Sequence, residues 1–216
     1  MTIGFLKTTL VSTSLLFALA IHAQASEIVN FDVDQFGAPV ANGAILSAQY
    51  RNYGVVFTGQ IYANTEDAYI SPFNTATFWN PSAPNLPVTA YAWFTAPGTD
   101  TAAITDSVSL TPTDASTLSL FTLTAYGVDG NVLATAQTIV EPTGRYLPSE
   151  DEVVTIVVPG IRYVSFSGSL LAQGGFAIGF DNMTFSTPTS VPEPSTVSLL
   201  VLGAIALLSR KAKNNA

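Results

Sequence analysis

The chain has 216 residues, of which 10% are charged and 48% hydrophobic, with a mean hydropathy of +0.38. Globular proteins usually carry about 25% charged residues, and a disordered chain combines low hydrophobicity with high charge, so disorder is excluded. Cysteine is absent and His22 is the sole histidine, which excludes disulfides, cysteine-based zinc sites and cysteine nucleophiles.

The first 25 residues read as a secretory signal peptide handled by the Sec pathway. Lys7 supplies the positive start, and Leu10 to Ile21 is an apolar run of 12 residues. Such a run is shorter than the roughly 20 residues that span a bilayer, which argues against a permanent anchor. Ala23-Gln24-Ala25 is a small-x-small site for signal peptidase, with Ser26 as the mature N-terminus. His22 leaves with this segment, so the mature chain lacks the imidazole base that serine hydrolysis normally uses.

Residues 26–187 carry strand patterns rather than a sustained helical period. The expected strands are Glu27 to Phe31, Gly54 to Thr58, Gln60 to Ala63, Thr77 to Trp79 and Val88 to Thr95. They continue with Ala103 to Leu110, Leu118 to Tyr126, Asn131 to Ile139, Val153 to Val158, Arg162 to Ser167 and Phe176 to Phe185. Alternation in the fifth places Val88, Ala90, Ala92 and Phe94 on one side and Tyr91 and Trp93 on the other. In the sixth, Ile104, Val108 and Leu110 share a face. Asp129-Gly130 between two such runs predicts a hairpin, because glycine accepts the positive φ of the turn. Short strands at hairpin spacing predict an all-β, two-sheet β-sandwich of jelly-roll type, flanked by an N-terminal signal helix and a C-terminal hydrophobic helix. Ser186 to Ser190 reads as a short linker that lets the domain stand off a membrane.

Between residues 26 and 190 the chain holds three cations, Arg51, Arg145 and Arg162, against fourteen acids, a net charge of −11. That domain repels nucleic acid and anionic membrane surfaces. Asp32, Asp34 and Asp181 form a candidate calcium site, since calcium takes carboxylate and carbonyl oxygens; the alternative is that they cap turns. Trp79, Trp93, Tyr62, Tyr69 and Tyr91 are candidate platforms for sugar rings. Most strand aromatics serve the core instead, and Trp79 is preferred because Asn80 to Asn85 reads as a surface loop. Glu150-Asp151-Glu152 reads as a solvated loop. Carboxylates are abundant, but none is marked as a hydrolytic pair.

The last 26 residues are the most informative. Val191-Pro192-Glu193-Pro194-Ser195 precedes an apolar run from Thr196 to Ser209, then Arg210, Lys211 and Lys213. The prolines keep the motif extended. The 14-residue run gives a helix of about 21 Å, and the cations hold its end in the cytoplasm. This order of motif, short span and basic tail resembles the PEP-CTERM sorting signal of exported bacterial proteins. The resemblance implies transient inner-membrane insertion, recognition by a membrane-embedded exosortase-type protease, and delivery to the envelope, surface or extracellular polysaccharide matrix. The chain then divides into a signal peptide (1–25), a sandwich (26–187), and a linker with sorting signal (188–216, the motif at 191–195, the helix at 196–209, the basic tail at 210–213).

Two stretches resemble galactose-binding-like jelly rolls. One is Asn30-Phe31-Asp32-Val33-Asp34-Gln35-Phe36-Gly37 with Gly54-Val55-Val56-Phe57. The other is Ala125-Tyr126-Gly127-Val128-Asp129-Gly130-Asn131 with Phe180-Asp181-Asn182-Met183-Thr184-Phe185. The resemblance implies that the last strand returns beside the first, a structural calcium near that pair, and a polysaccharide ligand. Three functions follow as expectations. The first is a non-enzymatic exported protein that binds polysaccharide. The others are a ligand-free structural matrix protein and a carboxylate-dependent extracellular glycan hydrolase.

Overall fold

A computed structural model describes residues 25–64, 75–78, 89–115, 119–140, 153–170 and 178–191. The expected signal helix and C-terminal helix lie outside them. The described chain is an antiparallel β-sandwich with one 3₁₀ turn, Arg51–Tyr53. Its strands are β1 (Ser26–Val29), β2 (Val55–Thr58), β3 (Ile61–Asn64), β4 (Thr75–Phe78), β5 (Thr89–Phe94) and β6 (Ala103–Ala115). Then come β7 (Ser119–Tyr126), β8 (Val132–Val140), β9 (Val154–Ile161), β10 (Tyr163–Leu170), β11 (Ile178–Ser186) and β12 (Thr189–Ser190). One sheet runs β2-β5-β10-β7-β8; the other runs β12-β6-β11-β4-β3, with β1 on β11 and β9 on β6. The last long strand does return beside the first, with Ser26 opposite Ser186 and Val29 opposite Met183.

Period-two burial explains the layers. Ala90, Ala92 and Phe94 of β5, Phe121, Leu123 and Ala125 of β7, and Val164 and Phe166 of β10 are buried against Val108, Leu110, Phe180 and Phe185 of the facing sheet. Phe166 stacks on Phe180 at 4.4 Å, and Phe31 meets Phe180 edge-on at 5.5 Å. Phe31 itself has φ +63°, a left-handed conformation that costs a bulky L-residue about 1–2 kcal/mol. Fully burying its ring contributes a comparable or larger amount, about 1.5–3 kcal/mol. The hairpin expected at Asp129-Gly130 is present, with Gly130 at φ +75° and its N–H donating to Gly127 O at 3.0 Å.

Four expectations are corrected. The strand expected to end at Leu110 runs on to Ala115 through Pro112. There Pro112 lies opposite Phe180 of β11, and the last pair with β9 among the described residues is Leu110 with Val154. Likewise β9 passes through Pro159-Gly160 instead of stopping at Val158. Pro159 sits at a bulge of β9 against β6, and Gly160 N–H donates to Asp106 Oδ1 at 3.0 Å. That bulge also shifts the parity of β6, so Thr105 rather than Ile104 turns inward, and its hydroxyl meets Ser186 Oγ at 2.7 Å.

Lastly, Ser186 to Ser190 is not a free spacer. Ser186 ends β11, and β12 pairs Thr189 with Ile104 and Ser190 with Ala103. Thr187 N–H donates to Ala25 O at 2.8 Å, and Val191 N–H donates to Ala102 O at 3.0 Å. Gly54 is required beneath this segment. A Cβ there would lie 2.9 Å from the Pro188 ring and 2.8 Å from Thr95 O, at φ +89°.

Candidate functional site

The same alternation that buries the alanines of β5 turns Tyr91 and Trp93 outward. Pairing then aligns Trp93 with Tyr163 of β10 and Tyr163 with Tyr126 of β7. Trp93 and Tyr163 stack at 4.2 Å and 23°, and Tyr163 and Tyr126 at 4.5 Å and 7°. Val56 lies opposite Trp93 on β2, and Val132 opposite Tyr126 on β8. The resulting row crosses all five strands, about 19 Å at normal strand spacing. All three rings are half-buried. They stand on the sheet as a ridge, with the outer faces of Trp93 and Tyr126 at the two ends of the stack.

The rows beside the ridge are polar. The next one along the strands is Thr58, Tyr91, Ser165, Thr124 and Thr135, followed by Thr89, Ser167, Thr122 and Gln137. Internal bonds hold these groups in place. Trp93 Nε1 donates to Thr58 Oγ1 at 3.1 Å and Gln137 Nε2 donates to Thr122 Oγ1 at 3.0 Å. Tyr126 Oη lies 3.3 Å from Ser165 Oγ. Each hydroxyl both donates and accepts, and the Gln137 carbonyl oxygen is an acceptor. Arg162 closes one end of the ridge. Its guanidinium carbon lies 5.4 Å from the Trp93 centroid, and Nη1 donates to Phe94 O. Burial lowers the Arg162 pKa from its ordinary value.

The aromatic residues read from sequence therefore separate. Trp93 and Tyr91 belong to this outer face and not to the core. Tyr62 is half-buried on β3, in the other sheet. Trp79 and Tyr69 lie outside the described residues. Tyr163 and Tyr126 were missed. Their one local signal is alternation with inward residues, such as Phe121, Leu123 and Ala125 before Tyr126.

Asp32, Asp34 and Asp181 each act electrostatically on the buried Tyr50 hydroxyl. Burial raises that hydroxyl's pKa above its ordinary value, and the three carboxylates raise it further. Asp34 Oδ1 accepts the N–H groups of Phe36 (2.8 Å) and Ala38 (2.9 Å), so it closes a turn. Asp181 Oδ1 accepts Asn182 N–H at 2.7 Å. Among the described residues no three such side chains are arranged to hold a metal ion. This geometry does not fit the structural calcium that the resemblance implied.

The Tyr50 hydroxyl has no hydrogen-bond partner, and an unpaired buried hydroxyl costs about 1–3 kcal/mol. Tyr50→Phe is therefore expected to match or exceed the parent in stability. The folded state keeps a proton that the unfolded tyrosine loses above about pH 10, so this contribution is complete below that pH. It is lost as pH rises through the folded value, with a limiting slope of about 1.4 kcal/mol per pH unit. Urea unfolding of parent and variant across this range should show the extra slope in the parent alone. Equal slopes would contradict the environment assigned to Tyr50.

Of the remaining sequence-derived positions, Ala25, Ser26 and Val191 are described, and Ala25 and Ser26 are exposed. Ala23, Pro192, Glu193, Pro194, Ser195, Arg210, Lys211, Lys213 and Glu150 to Glu152 lie outside the described residues.

No family model matches the chain, and no curated protein matches it. Solved structures similar to it include TmCBM61 in complex with beta-1,4-galactotriose, at 10% identity and a TM-score of 0.38, covering 68% of this chain and 99% of that one. Another is the K2 cleaved adhesin domain of Lys-gingipain, at 14% and 0.39, covering 75% and 98%. A third is the carbohydrate-binding module CBM28, specific for non-crystalline cellulose, at 11% and 0.34, covering 68% and 97%. Likeness at this level carries no inference about a ligand. What the coordinates themselves define is a two-sheet β-sandwich with an aromatic ridge on one outer face.

Proposed function

We propose that the chain is an exported bacterial surface or matrix protein, sorted by an exosortase-type protease, whose sandwich binds polysaccharide without turning it over. The observation that carries the binding part is the Trp93-Tyr163-Tyr126 ridge beside ordered hydroxyl and amide rows. Sugars present apolar C–H faces to ring surfaces and hydroxyl rims to groups that donate and accept, which is the usual pairing of apolar contact with a few placed polar groups. The lack of any imidazole in the mature chain supports a non-enzymatic reading. The sorting part is supported by the order of motif, short apolar run and basic tail.

Intact mass of the protein from native envelope and medium tests the sorting part. A species running from Ser26 to near Pro194 is the expected result. Replacing Pro192, Glu193 and Pro194 with alanine should leave the full tail in the inner membrane. A native species that keeps Arg210 to Ala216 would make the protein a plain membrane-anchored one.

A further inference from the structure

We infer that the ridge selects uncharged polysaccharides and rejects acidic ones. This rests on reading the outer face as a glycan site, and it assigns the chemical class of the ligand. Across the five strands, every described outward side chain is aromatic, aliphatic, hydroxyl or amide, and none carries a charge. The neutrality is local, because the domain around it carries a net charge of −11.

Binding an acidic sugar needs a cation to offset the cost of desolvating its carboxylate or sulfate. The two described cations are both engaged elsewhere. Arg51 Nη2 pairs with Asp100 Oδ1 at 3.0 Å. Arg162 is the one beside the ridge, and its guanidinium is turned onto Trp93 and the carbonyl oxygens of Phe94 and Ala103. Breaking those bonds would take a charged donor from part-buried carbonyls, an unfavourable exchange. A polyanion approaching the face also meets the repulsion of the whole domain, which acts over a Debye length of about 10 Å at 0.1 M salt. A neutral chain meets neither penalty. Its hydroxyls match groups such as Thr124, Thr135 and Gln137, each of which can accept a hydrogen bond without proton transfer.

The test is affinity electrophoresis of the detergent-solubilised full chain through gels holding one polysaccharide each. The neutral probes are a mixed-linkage glucan, a galactan and a xylan; the acidic probes are alginate, polygalacturonate and hyaluronan. At least one neutral probe is expected to retard the protein. Its apparent affinity should change less than about twofold between 0.01 M and 1 M salt, over which the Debye length falls from about 30 Å to about 3 Å. Acidic probes should bind at least tenfold more weakly. Retardation by an acidic probe that fades with salt would overturn the assigned class and leave the glycan site standing. Retardation by none of the six probes would instead overturn the glycan reading, and this inference with it.

Discussion

Trp93→Ala and Tyr126→Ala are each expected to weaken binding to the retarding polysaccharide about tenfold or more, a loss of at least about 1.4 kcal/mol. Few residues dominate a binding surface, and buried aromatics are the usual ones. These two hold the ends of the ring stack, with Tyr163 between them. Removing either also uncovers one face of Tyr163. A stacked aromatic pair contributes about 0.5–1.5 kcal/mol beyond its area, so a modest fall in melting temperature should accompany the loss. Trp93→Phe separates the two effects. It keeps a ring against Tyr163 but loses the bond to Thr58 Oγ1, and it should restore most of the affinity. Gel retardation by the same polysaccharide is the readout. Alanine variants that are folded and bind as the parent does would show the ridge to be a purely structural seam between β5, β10 and β7.

Phe180→Ala should cost about 3–5 kcal/mol of stability, the range for removing a buried aromatic ring from a packed core. Single domains are stable by only about 5–15 kcal/mol, so this one change removes a large share. Phe180 lies on β11 with no exposed surface. It stacks on Phe166 of the opposite sheet and meets Phe31 and Phe121 edge-on at 5.5 and 6.4 Å. Its loss therefore opens a void where both sheets and the strained Phe31 meet. Urea unfolding should show the midpoint falling with little change in slope. Phe36, 77% exposed, is the control; its alanine variant should stay within about 0.5 kcal/mol of the parent. A Phe180→Ala protein as stable as that control would contradict the packing between the sheets.

Much of the sandwich was legible because its signals are local. Alternation within β5 and β7, and glycine at the turn after Asp129, depend on residues a few positions apart. Legibility failed where a partner strand decides the outcome. Pro112 and Pro159 look like strand ends in isolation. Pro159 sits at a bulge of β9 against β6, and Pro112 continues β6 opposite Phe180 of β11, placements that only the partner strands reveal. The stretch after Ser186 looks like a spacer, and only the exposed start of β6 converts it into β12.

The candidate site divides the same way. Composition and order alone determined the exclusion of cysteine chemistry, the acidic domain and the strand-rich middle, since these need no partner. The alternation in β5 already separated Tyr91 and Trp93 from Ala90, Ala92 and Phe94, although ring size argued for the core. Small alanines facing inward leave room for Phe121, Phe166 and Phe180 from other strands, and the large rings are left outside. Trp93, Tyr126 and Tyr163 are far apart in the chain, so no local pattern links them. Antiparallel registers of β5 with β10 and β10 with β7 bring them within stacking distance, and register is a property of paired strands. For the same reason, only the tertiary structure decided that this face is uncharged and that Arg162 is spent on Trp93 and backbone carbonyls.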